Sequence, residues 1–81
     1  MITVNSKKEL KSLINQRIRE QGLNCNLNDI DVSRIKDMSL LFDSSPFDGD
    51  ISKWDVSNVE YMDDMFRKSP IAGEEPRWYI G

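Results

Sequence analysis

Any chemistry done by this chain would fall to carboxylates, because the common nucleophile and metal partners are missing. The sequence holds 14 acidic residues, 11 basic ones and no histidine, and Cys25 is its one cysteine. Serine–histidine and cysteine–histidine schemes need an imidazole beside the nucleophile, and histidine-ligated metal sites need one as ligand. Composition excludes all of these. The pair Asp48 and Asp50 around Gly49 invites a calcium reading, since that ion takes clustered oxygen ligands. The segment lacks the third acid and the distal glutamate of a helix–loop–helix site, so a turn is the better account. Ser33, Ser57, Ser45 and Ser69 read as helix caps and turn residues rather than nucleophiles. Asp31 and Asp55 read as acceptors for nearby backbone amides. No catalytic residue, metal site or cofactor is expected.

The elements that would position these side chains announce themselves as a repeat. Aligned without gaps, Asp31–Trp54 and Asp55–Trp78 are identical at nine of 24 positions. Chance would give about one or two matches with ordinary residue usage. The identical pairs include Asp31/Asp55, Met38/Met62, Phe42/Phe66, Pro46/Pro70, Gly49/Gly73 and Trp54/Trp78. Repeats of this length are single supersecondary units that stack.

Before them, Ile2-Thr3-Val4 reads as a short strand. Ser6 with Glu9 reads as a capping box, and Leu10, Leu13, Ile14 and Ile18 form one apolar stripe. A helix is predicted from about Lys7 to Gln21, stopped at Gly22. Each repeat then reads as strand, capped helix, turn and strand. Trp54 and Val56 alternate as in a strand, Ser57 with Glu60 forms a second capping box, and Val59, Met62 and Phe66 recur at helical steps. In the first repeat Ile35, Met38, Leu41 and Phe42 play that part, ending at Pro46. Trp78-Tyr79-Ile80 reads as a last strand with an open apolar edge.

The fold expected is therefore an α/β repeat, a leucine-rich-repeat-like solenoid of short parallel strands stacked with short helices. Residues 1–30 form its strand–helix cap and residues 31–81 its two repeats, all in a single compact domain. The 81 residues allow one domain with a small core. No secretory leader and no membrane-length apolar stretch is visible, and a lone cysteine suits a reducing, cytoplasmic setting.

Charge is unevenly spread. Residues 1–30 carry five bases and three acids, whereas residues 31–66 carry three bases and nine acids. An acidic repeat body should repel nucleic acid.

Asp31-Val32-Ser33, Leu41-Phe42, the run Gly49–Val59, Met62 and Met65-Phe66 resemble the BspA-like leucine-rich repeats of bacterial surface proteins, the family also called DUF285. The resemblance covers about residues 24–79. It implies a repeat fold used in adhesion and protein binding. The long members of that family are exported arrays, whereas compact versions without a signal resemble mobile-element genes.

The function expected is a non-enzymatic protein–protein interaction module. The alternative is a phage- or prophage-encoded inhibitor, of the anti-CRISPR or another anti-defence kind, that occupies a host nucleic-acid-binding protein. An acidic face of Asp43, Asp48, Asp50, Glu60, Asp63 and Asp64 would carry binding in that case. Trp78, Tyr79 and Ile80 at the C-terminal edge would serve partner binding or a homodimer. The partner expected is another protein, with no direct nucleic-acid or membrane binding.

Overall fold

In the computed structural model, which describes residues 1–79, the N-terminal segment folds as its local signals direct. Strand β1 (Ile2–Thr3) is followed by helix α1 (Lys7–Gln21) and strand β2 (Ile30–Asp31). The Ser6 hydroxyl accepts the Glu9 amide at 3.1 Å and caps the helix. The Glu9 carboxylate reaches back to the amide of Asn5, one residue beyond the reciprocal capping-box bond to Ser6. Gly22, at φ 95°, closes the other end by donating its amide to the Ile18 carbonyl.

α1 buries Leu10 and Ile14, with Leu13 and Ile18 packed beside them. Its polar side is tied down as well. Arg17 holds Asp29 with two bonds of 2.9 and 2.6 Å. The Lys7 ammonium reaches the Ser39 carbonyl at 3.0 Å and Asp37 at 3.3 Å. β1 lies parallel to β2 with Ile2 opposite Ile30 and Thr3 opposite Asp31.

The alternating solenoid of strands and helices is not what forms. Among the described residues there is one helix and a two-stranded sheet, and both predicted repeat helices are absent. The expected strands at Ile51–Val56 and Trp78–Tyr79 are absent too; Ile80 lies outside the described residues. Turns fill these segments, with isolated parallel bridges at Asn26↔Asp50 and Asp37↔Tyr61.

The backbone shows why. Leu40, Ser44, Asp64 and Lys68 all have φ between 53° and 59°, a left-handed conformation that no helix interior tolerates. Leu40 matches Asp64 across the repeat, and Ser44 matches Lys68, so the interruption is itself repeated. Between these points the chain makes i→i+3 turns, Leu41 amide to Met38 carbonyl and Met65 amide to Met62 carbonyl. Such turns bring apolar residues inward about every three positions, which mimics helical spacing. The remaining amides bond sideways. Met38, Leu40, Phe42 and Ser44 donate to the carbonyls of Tyr61, Asp63, Met65 and Arg67 at 2.8–3.0 Å.

A single core runs beneath these turns. Phe42, Phe47, Leu27, Ile30, Ile35 and Met38 are among its fully buried side chains. Gly49 is fixed by packing, since a Cβ there would lie 1.9 Å from the Cys25 carbonyl oxygen.

Candidate functional site

Aromatic rings one repeat apart stack along the core towards the second repeat. Phe42 and Phe66 lie 5.6 Å apart and nearly parallel, and Trp54 and Trp78 lie 6.2 Å apart. Each tryptophan repeats the other's polar contact. The Trp54 indole donates to the Leu27 carbonyl and the Trp78 indole to the Ile51 carbonyl, both at 2.9 Å. Tyr79 meets the Phe66 ring edge to face at 4.9 Å. Trp78 and Tyr79 are therefore seated on the core and half-buried rather than free.

The expected acidic face does not act as one surface of free charges. Asp43 accepts two hydrogen bonds from the Arg67 guanidinium, at 2.9 and 3.1 Å, which also clip the repeats together. That guanidinium keeps the Asp43 carboxyl below the ordinary carboxylate range. Asp50 accepts the Ser52 amide at 2.9 Å and its hydroxyl at 2.7 Å. Those bonds, with a smaller contribution from Asn28, bring its pKa down to about 2. Asp48 and Asp50 line a shallow cleft of about 260 Å³ with Ser52, Ile71, Glu74 and Pro76. No three metal-ligating side chains converge among the described residues.

Glu60, Asp63 and Asp64 lie on the second repeat, exposed and outside any ion pair among the described residues. Burial raises the Tyr79 pKa above its ordinary value, and Glu75, Asp64 and Asp63 raise it further. Asp63, Asp64 and Glu75 thus act electrostatically on the aromatic end that the sequence treated as a separate edge.

The acceptor role expected of Asp31 and Asp55 is seen, but its recurrence as a motif escaped the sequence reading, as did one surface. Ser33 and Ser57 do not cap helices; their amides are bonded at 3.0 Å by Asp31 and Asp55, two residues earlier. Asp37 does the same for Ser39 and Asp50 for Ser52. The signal was the tripeptide Asp-x-Ser at 31–33, 37–39, 50–52 and 55–57; the same tripeptide at 43–45 does not make the bond, since Asp43 is held by Arg67 and the Ser45 amide goes to the Phe42 carbonyl. The role of Ser45 and Ser69 as turn residues is seen, each hydroxyl accepting the amide two residues on at 3.2 Å.

The second omission is a surface. Val32, Ile35 and Met38 are 0–2% exposed, whereas their counterparts Val56, Val59 and Met62 are only half-buried. Tyr61, beside them in sequence, is 58% exposed. Only an open neighbour position distinguishes the two sets, and no sequence pattern reports that.

Among the described residues no helix is long and apolar enough to cross a membrane. No curated protein and no solved structure matches the chain. A family described as Mycoplasma protein of unknown function, DUF285, matches residues 8–72. That match spans most of the sequence, and the chain belongs to the DUF285 family.

Proposed function

We propose that this chain is a non-enzymatic protein-binding module whose contact surface is the outer side of the second repeat. The carrying observation is the half-burial of Val56, Val59 and Met62, whose first-repeat counterparts are in the core, with the exposed Tyr61 next to Met62 in sequence. Apolar surface of this sort, with the exposed acids Glu60, Asp63 and Asp64 on the same stretch of chain, suits an interface with a hydrophobic centre and a polar rim. The motif's resemblance to BspA-like surface proteins supports the same reading.

The test is capture of partners by the tagged protein from a bacterial lysate, comparing wild type with Tyr61→Ala and with Asn15→Ala on the exposed side of α1. A partner retained by Asn15→Ala and lost with Tyr61→Ala is expected. Equal retention by both variants would sink the reading.

The unpaired acids favour a second reading, an anti-defence inhibitor of the anti-CRISPR type that occupies a basic nucleic-acid site. On that reading the combined variant of Glu60→Gln, Asp63→Asn and Asp64→Asn loses its partner, and so does the wild type at high salt. Salt-resistant capture would remove it.

A further inference from the structure

The second repeat carries a row of backbone donors whose first-repeat counterparts are all used. In the first repeat the amides of Met38, Leu40, Phe42 and Ser44 bond to carbonyls of the adjoining chain. The equivalent amides belong to Met62, Asp64, Phe66 and Lys68. None of these four donates to an acceptor among the described residues. The alternate carbonyls of the same segment, from Tyr61, Asp63, Met65 and Arg67, point back into the first repeat. The free amides therefore lie on the other side.

Phe66 is 2% exposed, with Trp78 and Tyr79 packed against its ring, so its amide is covered and Met62, Asp64 and Lys68 carry the donors open to a partner. Glu60 continues the row with the opposite polarity. The Lys36 carbonyl accepts the amides of Glu60 and Tyr61 at 2.7 and 3.2 Å, while the matching Glu60 carbonyl accepts none among the described residues.

We propose that this outer edge takes up a polypeptide segment of another protein, pairing in parallel as Tyr61–Arg67 pairs with the first repeat, and that the segment is basic. The proposal rests on the protein-binding reading above and assigns it a mode and a ligand class. The alternating amides require carbonyls at every second residue, which a peptide backbone supplies in register. The parallel bridge of Asp37 with Tyr61 sets the direction. Charge sets the class. Glu60, Asp63, Asp64 and Glu75 are exposed and outside any ion pair among the described residues, Arg67 is already committed to Asp43, and Lys68 is the single base left to offset them within residues 60–68. Lysine or arginine opposite those acids gains attraction, and an acidic segment is repelled.

The experiment uses a synthetic peptide with the sequence of residues 60–68 carrying the changes E60K, D63K and D64K. Titration into the 15N-labelled full chain is followed by amide hydrogen exchange. Slowing of exchange by about tenfold or more at Met62, Asp64 and Lys68 is expected, the size of one added hydrogen bond. Met62→Pro removes a donor that makes no bond among the described residues, and should weaken the peptide by about tenfold relative to Met62→Ala.

Unchanged exchange at these amides, or equal affinity in the two variants, would overturn the edge mode. A partner still captured through Tyr61 would then leave the protein-binding reading standing. If the chain alone sediments as a dimer with the same amides already protected, a second copy is the occupant and the basic-partner assignment falls.

Discussion

The two repeats of this protein share nine residues of 24 and live in different surroundings. The first is enclosed, with β1 and α1 on one side and the second repeat on the other. The second is supported, among the described residues, on one side only. Met38 is fully buried and Met62 half-exposed, although the residue, its place in the repeat and its local turn are the same. Burial is thus a property of the neighbour rather than of the motif. The enclosed copy holds the molecule together, and the open copy is the part free to bind.

The strongest attempt to break that contrast is truncation of the matched methionines. Met38→Ala should cost about 2–5 kcal/mol, as expected for a large side chain removed from a closed core. Met62→Ala should cost below about 1 kcal/mol. Urea unfolding followed by circular dichroism measures both, and equal losses would show that the second repeat is as enclosed as the first.

The matched glycines come next. Alanine at Gly49 meets the Cys25 carbonyl and the Phe47 ring, so about 3 kcal/mol or outright misfolding is expected. At Gly73 nothing lies within 4 Å, and φ 92° is the only penalty, about 1 kcal/mol. Thermal melts of the two variants should separate clearly.

A finer comparison replaces each tryptophan by phenylalanine. Both changes remove an indole bond to a carbonyl, but Trp54 is 4% exposed and Trp78 half-buried, where water can take over. Trp54→Phe should be the more destabilising by about 1 kcal/mol.

Acid probes the least costly difference. Asp31, Asp37, Asp43 and Asp50 of the first repeat have depressed pKa values, against Asp55 in the second. A carboxylate whose pKa is lower folded than unfolded stabilises the fold above its unfolded value, and that contribution is lost as pH falls through the folded one. The melting temperature should therefore fall as pH drops from about 4 towards the Asp50 value of about 2. Asp50→Asn should flatten that slope more than Asp55→Asn does. An identical slope in both would remove the electrostatic part of the contrast.

The candidate site was legible in pieces. Trp78 and Tyr79 were singled out by their residue types, and Asp63 and Asp64 by the local charge. Their meeting at one end depends on how Tyr79 packs on Phe66. Asp43 was assigned to the binding face and is instead consumed by Arg67, its own counterpart one repeat on. Pairing across a repeat becomes visible only when the copies are laid side by side.

The sequence by itself determined α1 and the equivalence of the repeats. Ser6, the Leu10–Ile18 stripe and Gly22 act through bonds and contacts within a few residues, so neighbours along the chain suffice to specify that helix. Tertiary structure alone decided that the repeats coil as turns. Apolar residues three or four apart suit a helix and a run of i→i+3 turns equally. What chose between them was the competition for the Met38, Leu40, Phe42 and Ser44 amides, won by carbonyls 23 residues away instead of those four residues back. Those carbonyls exist as partners only once the second repeat has been laid against the first.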